Sequence, residues 1–309
     1  MNSRPMHSYL SVGIVHFMAY PQCMGGDGPV LESLATIAED PFFAAIEVGP
    51  INDAGVRREA AALLAASGMK VGFGVQPMLL SGRHDLNSFD PSARRAAMDV
   101  CIRGLDQAAE LGAQTIAVLS GADVEAASRP AAVDLLVESL TEFGQQCSSA
   151  GLDLCLETFD RDIDKKCLVG PNLLGVEVSG RVRQAVPRFG LLVDLSHLPL
   201  QHETIEDGVR VTRDHLRHVH VGNCVLDPSD ALYGDQHPRF GHPSGVNGVH
   251  ELRAFLTTLL EVGYLRPDRR AGLAFEVKPV PGESSATIVA QSKRTLLHAW
   301  STISLAEGE

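Results

Sequence analysis

Residues 114–157, QTIAVLSGADVEAASRPAAVDLLVESLTEFGQQCSSAGLDLCLE, hold one complete structural repeat. It opens on a short apolar run at 114–119, of the kind that a strand buried on both faces requires. A longer amphipathic stretch follows at 130–149 and predicts a helix. Gly151 then supplies a residue that accepts a left-handed C-terminal cap, and 152–157 is a second apolar run. Strand, helix and strand in this order imply a parallel pair joined by a right-handed crossover.

The same alternation continues in both directions. Strands are expected at 11–16, 43–48, 70–75, 114–119, 152–157, 189–194, 216–221 and 271–277. Helices are expected at 29–38, 56–67, 91–111, 130–149, 205–214, 249–262 and 285–303. Asp90-Pro91 places an N-cap before a proline in the first turn, and Asn247 stands as a second helix-start residue before Gly248. Gly68, Gly112, Gly151 and Gly263 each sit where a helix must end. Eight such units predict an α/β fold, one (β/α)8 TIM barrel of parallel strands occupying residues 1–309 as a single domain. An open doubly wound sheet is disfavoured because no GxGxxG follows the first strand. Two long connections, 158–188 and 222–248, follow the fifth and seventh strands, on the face where barrel enzymes carry their sites.

The chain has 309 residues, 45% of them hydrophobic, and a formal charge of −12, which suits a folded protein and not a disordered one. Its densest basic cluster, Arg266 to Arg270, contains Asp268, so a nucleic-acid partner is not expected. Six cysteines stand singly without a CxxC pair, as reduced thiols of a cytoplasmic protein would. No stretch resembles a signal peptide, and no apolar run reaches the length of a membrane span.

The chemistry gathers at the ends of the last four strands. Glu157 closes Leu154-Cys155-Leu156-Glu157, Asp194 closes Leu191-Leu192-Val193-Asp194, and His220 and Glu276 lie in the seventh and eighth strands. Three ionised carboxylates at the ends of apolar strands repel one another and are costly to bury. One divalent cation removes that conflict. A set of three carboxylates and one imidazole suits Mn2+ first, with Mg2+, Co2+ and Zn2+ as alternatives. Cys155 shares the face of Glu157 and should lie one layer below the ion.

Three motifs carry a family resemblance: Val193-Asp194-Leu195-Ser196-His197, His218-Val219-His220-Val221 and Phe275-Glu276-Val277-Lys278-Pro279. They resemble the sugar isomerase/epimerase superfamily of xylose-isomerase-like barrels, which also contains the family 2 AP endonucleases. The resemblance implies that Glu157, Asp194, His220 and Glu276 hold the metal ion. It implies further that Glu157 and Glu276 carry protons to and from a substrate carbon, and that His197 contacts a substrate oxygen.

Further residues stand near these strand ends. His218 either orients a ligand from below or is a satisfied core histidine. His16, Glu47 and Lys278 either line the pocket or form structural ion pairs. The segment 160–166 alternates acids like a calcium loop but lacks the glycine and the closing glutamate, so it reads as a charged active-site loop or as solvated surface. The segment 234–241 reads as an ordered substrate loop in which Asp235, His237 and Arg239 are candidate ligand-binding residues. It departs from the family's usual His-Arg form.

The leading functional expectation is a metal-dependent isomerase or epimerase of a sugar or keto-sugar, acting by proton abstraction next to a carbonyl, in a homo-oligomer. The alternative is a metal-dependent lyase on keto-sugars, either a dehydratase or a deglycosylase of 3-oxo-C-glycosides. The loops after Glu157 and His220 resemble the catalytic subunit of the C-glycoside-deglycosylating enzymes, which implies a hetero-oligomer with a smaller partner. An AP endonuclease would need a basic groove that this acidic chain lacks. A non-catalytic binding barrel is the remaining class.

Overall fold

The computed structural model describes residues 5–304. Its eight strands are β1 (Leu10–Ile14), β2 (Ala45–Val48), β3 (Lys70–Gly74), β4 (Thr115–Leu119), β5 (Asp153–Glu157), β6 (Phe189–Asp194), β7 (Leu216–Val221) and β8 (Ala271–Phe275). All pair in parallel in the order β1-β8-β7-β6-β5-β4-β3-β2. The ring closes between β2 and β1, where the Ala44 amide donates to the Val12 carbonyl at 2.8 Å and Val15 bridges to Glu47. The molecule is a (β/α)8 barrel, as the alternation of runs predicts.

Burial explains why the strands were legible. Every residue of β1 and β6 is buried, because the helices cover the outside of the barrel and side chains fill the inside. The register sets the functional ends side by side: Leu119 pairs with Glu157, Glu157 with Leu192, and Asp194 with His220.

The punctuation residues behave as their chemistry requires. Asp90 caps the helix Pro91–Glu110 by accepting from the Ser92 amide at 2.9 Å. Gly68, Gly112, Gly151 and Gly263 have φ of 69°, 73°, 81° and 72°, in the region that a Cβ disfavours. Asp90→Ala should therefore lower stability by about 1 kcal/mol, read as a shifted denaturant midpoint with an unchanged slope.

Two expectations need correction. The long connection 158–188 contains the helix Asn172–Val182, which completes the fifth repeat. Its start lacks a side-chain cap, and Gly175 and Gly180 interrupt the helical pattern. Gly175 is there because of a close approach, since a Cβ on it would meet Thr158 Cγ2 at 2.9 Å.

Asn247 is not an N-cap. Gly248 holds that position, its amide donating to Glu251 Oε2 at 2.8 Å. The Asn247 amide group instead donates to the Leu195 and Gly222 carbonyls at 3.2 and 3.1 Å, tying the long β7 loop to the end of β6. No helix among the described residues is long and apolar enough to cross a membrane. All six cysteines are free and buried.

Candidate metal centre and substrate cavity

The C-terminal ends of the strands bring Glu157, Asp194, His220 and Glu276 together. One ligand atom from each lies within 4.8 Å of the other three, and all four residues are buried to form a single cluster. Glu276 sits one residue past β8, not within it. Its amide still donates to the Val221 carbonyl at 3.0 Å, so the barrel backbone fixes its place.

Each carboxylate is half-held. Glu157 Oε2 accepts from Gln76 Nε2 at 2.7 Å, and Asp194 Oδ1 accepts from the Ser196 amide at 2.7 Å. Glu157 Oε1 and Asp194 Oδ2 are buried with no hydrogen-bond partner. Two orphaned carboxylate oxygens facing an imidazole are a costly arrangement for an apolar interior, and a cation is what such oxygens accept. The donor set therefore fits a divalent ion.

Two other groupings share these residues. Glu47 with His218 and His220 is one, but its atoms are already paired: His218 Nε2 lies 2.7 Å from Glu47 Oε1 and His220 Nε2 lies 2.9 Å from Glu47 Oε2. Asp194 with His197 and His237 is the other, and both rings there face the Asp235 carboxylate, at 3.2 and 2.7 Å from Oδ1. Neither contact is aligned as a hydrogen bond to Asp235 Oδ1, so that oxygen and His197 Nε2 remain without partners. The four-ligand cluster is the grouping with unmatched negative charge.

The electrostatics follow from burial and close pairing. Burial pushes the Asp194 carboxyl up to about 6, against the pull of His197. Burial opposes the charged form of Glu276 as well, but His237 and His220 outweigh it and hold that carboxyl at about 2. Burial also disfavours charge on His220, and Glu47 and Glu276 override it, keeping the imidazolium well above its ordinary range. The same contest at His197 and His237, decided chiefly by Asp235, raises them to about 10 and about 9. His237 also holds a left-handed backbone with φ of 50°, a local strain of the kind found where a side chain must be aimed.

A cavity of about 900 Å3 opens over the cluster. Of the residues expected to bind substrate, Glu47, His237 and Lys278 line it. His197 lies beside it, fully buried, with Nδ1 2.9 Å from the Thr158 carbonyl oxygen. His16 and Arg239 do not line it. His16 turns into the short helix His16–Ala19 and lies 2.8 Å from Ser33 Oγ, while Arg239 pairs with Glu283 at 2.9 Å. Cys155 packs one layer down against Ala117 and Leu192.

One site residue had no signal in the sequence, and another came from a loop whose role the sequence left open. Gln76 reaches Glu157 from 81 positions away. Lys165 comes from the charged loop, whose backbone Asp160 organises by accepting from the amides of Ile163, Asp164 and Lys165 at 2.7–2.8 Å. Its ammonium pairs with Asp235 Oδ2 at 3.0 Å, joining the β5 and β7 loops across the cavity.

The model of the xylose isomerase-like TIM barrel matches residues 37–284. The chain belongs to the xylose isomerase-like TIM barrel family. No curated protein matches its sequence significantly. Among solved structures it is similar to a D-psicose 3-epimerase with D-tagatose from Clostridium cellulolyticum, at 17% identity and a TM-score of 0.67, covering 94% of this chain and 97% of that one. It is similar to the IolI protein with a bound zinc atom, at 13% identity and a TM-score of 0.73, covering 96% and 100%. It is also similar to a 3-keto-D-glucoside 4-epimerase from E. coli, at 16% identity and a TM-score of 0.62, covering 94% and 99%. At these identities the likeness establishes the family's fold.

The displaced histidine gives a test remote from the cluster. Burial lowers His16 to about 4, below the ordinary 6.5 of an unfolded chain. The unfolded state then binds the extra proton between those values, so stability falls as pH drops from 6.5 towards 4, by up to about 3 kcal/mol. His16→Gln should flatten that part of the stability profile relative to the parent. Parallel profiles would show that His16 binds its proton alike in the folded and unfolded states.

Proposed function

We propose that the protein is a divalent-metal-dependent isomerase or epimerase of a sugar or keto-sugar. In this reading Glu157, Asp194, His220 and Glu276 hold the ion, Mn2+ by preference, and Glu157 and Glu276 move the proton at the carbon next to a carbonyl. The observation that carries the reading is the four-residue cluster with its two orphaned carboxylate oxygens at the mouth of the barrel. The fold's likeness to sugar epimerases, and to a zinc-binding relative, supports it. When bound, the ion would withdraw charge from substrate oxygens and make the adjacent C–H acidic.

The chain's own residues supply the rest. His237 and His220 hold Glu276 ionised, which is the form a base needs. Gln76 fixes one oxygen of Glu157 and leaves the other free to act. His237 and Lys278, which line the cavity, are placed to donate to substrate oxygens. Two carboxylates serving one carbon account for inversion, one removing the proton and the other returning it.

The test is solvent-deuterium incorporation into a panel of keto-sugars and 3-oxo-glycosides, with metal-stripped protein reconstituted with Mn2+. Exchange that depends on the metal is expected, and its product separates epimerisation from cleavage. Tight metal binding without exchange on any substrate would sink the proposal.

A further inference from the structure

One charge in the cavity is left unanswered. The carboxylates of its lining are Glu47, Glu157, Asp235 and Glu276, and each has an imidazole, amide or ammonium partner within 3.0 Å. Arg103 lines the same cavity, yet its guanidinium makes no hydrogen bond or ion pair among the described residues. Asp99, one turn earlier on the helix Pro91–Glu110, turns to Arg95 at 3.8 Å instead. Residues 50–52 and 76–107 contribute amides, hydroxyls, His84 and Arg103 to the lining, but no carboxylate. Lys278 is less free, since its ammonium lies 3.4 Å from Gln236 Oε1 and stands two residues from Glu276.

The backbone places Arg103 with a second donor. Val100, Arg103 and Gln107 all line the cavity, and their spacing puts them on one helical face. Gly104 lets that helix press on the rim of β3, where a Cβ would meet Val75 Cγ2 at 2.9 Å. Gln107 Oε1 accepts from the Ile51 amide at 2.9 Å. That bond fixes the side chain and leaves its Nε2 group as the free end, which can only donate. Gln76 leaves the same β3 rim and bonds to Glu157, so Glu157 and Arg103 open onto one chamber of about 900 Å3. A chamber near the top of the roughly 300–1,000 Å3 range of ligand pockets has room for a sugar carrying a further group.

A subsite made of donors alone, with a permanent positive charge, discriminates. A hydroxyl both donates and accepts, and finds no acceptor from Arg103 or the free end of Gln107. A carboxylate or a phosphate accepts only, and its paired oxygens match the guanidinium fork. We propose that Arg103 and Gln107 form a subsite for an anionic group, a phosphate ester or a carboxylate, on a carbon of the sugar away from the reacting one. That the remainder of the ligand is a sugar rests on the function proposed above. The anion subsite stands on the charges of the chamber itself.

The experiment compares D-fructose, D-fructose 6-phosphate and D-fructuronate by titration calorimetry on the Mn2+-loaded full chain at low salt. The three ketoses differ at the sixth carbon, which carries a hydroxyl, a phosphate ester or a carboxylate. At least one of the two anionic ketoses should bind about tenfold or more tightly than fructose, as charge-assisted hydrogen bonds provide. Which of them does so identifies the anion. In Arg103→Ala that advantage should shrink below about threefold, and Arg103→Lys, which keeps the charge and loses the fork, should fall between. Arg103 is exposed, so both substitutions leave the core untouched.

Equal affinity for the three ketoses, or no binding of either anionic one, would overturn the proposal. An advantage that survives in Arg103→Ala would overturn it too, by placing the anion on the metal ion or on Lys278. Failure of the epimerase reading shows up elsewhere, as absent deuterium exchange, and leaves the Arg103-dependent difference in affinity intact.

Discussion

Glu157→Gln and Glu276→Gln should each slow proton exchange from one of the two epimers by about 10^2- to 10^4-fold, the usual contribution of a positioned general base. Glutamine keeps the volume of the side chain and its reach to Gln76 or His220, so the barrel should fold as before. What it removes is the basic oxygen. Because both residues belong to the proposed metal cluster, the measurement needs saturating Mn2+, with occupancy checked separately by titration. A signature then separates a proton carrier from a residue that merely holds the cluster. With two carboxylates serving one carbon, losing one should abolish net epimerisation while the survivor still exchanges the proton of the epimer it faces. Glu157→Gln and Glu276→Gln should then retain residual exchange from opposite epimers. Equal loss of exchange from both epimers at full occupancy would reduce the two glutamates to ligands, and undiminished exchange in both would remove them from the chemistry.

The sequence reading picked out the barrel and the four residues that the structure gathers into one cluster for a common reason. Strands buried on both faces read as continuous apolar runs, so a charged residue at the end of one, such as Glu157 or Asp194, is conspicuous. The helix Asn172–Val182 escaped because Gly175, needed for its close approach to Thr158, carries a loop-like signal inside a helical stretch. His16 and Arg239 were plausible pocket residues because they lie next to strand ends or in the β7 loop. Whether such a side chain turns into the mouth or away from it depends on the backbone just beyond the strand, which periodicity does not encode. Gln76 and Lys165 were illegible for another reason. Their roles rest on contacts with Glu157 and Asp235, 81 and 70 residues distant; nothing local marks Gln76, and the charged segment around Lys165 does not show its partner.

Glu47→Gln is expected to weaken Mn2+ binding by about 10- to 100-fold although Glu47 belongs to no proposed ligand set, which is the usual effect of losing the group that orients a ligating histidine. One carboxylate here serves two rings, with His218 on Oε1 and His220 on Oε2. By accepting a hydrogen bond from His220 Nε2–H it reserves Nδ1 for the cluster, where that atom lies 2.6 Å from Glu276 Oε2 and 3.6 Å from Glu157 Oε1. Burial opposes the charge on Glu47, and His220 and His218 override it, holding the carboxyl well below its ordinary range. The backbone has been cleared for this arrangement: a Cβ on Gly72 of the neighbouring strand would stand 2.9 Å from Glu47 Cγ. Glutamine can accept from only one of the two imidazoles through its carbonyl and must turn N–H groups towards the other. That mismatch frees the His220 ring to rotate or change tautomer. Metal affinity, measured at a fixed pH because binding must displace the Nδ1 proton, should fall together with the number of protons released. An unchanged affinity would show that packing alone orients His220, and would make the Glu47–His218–His220 chain a structural ion pair.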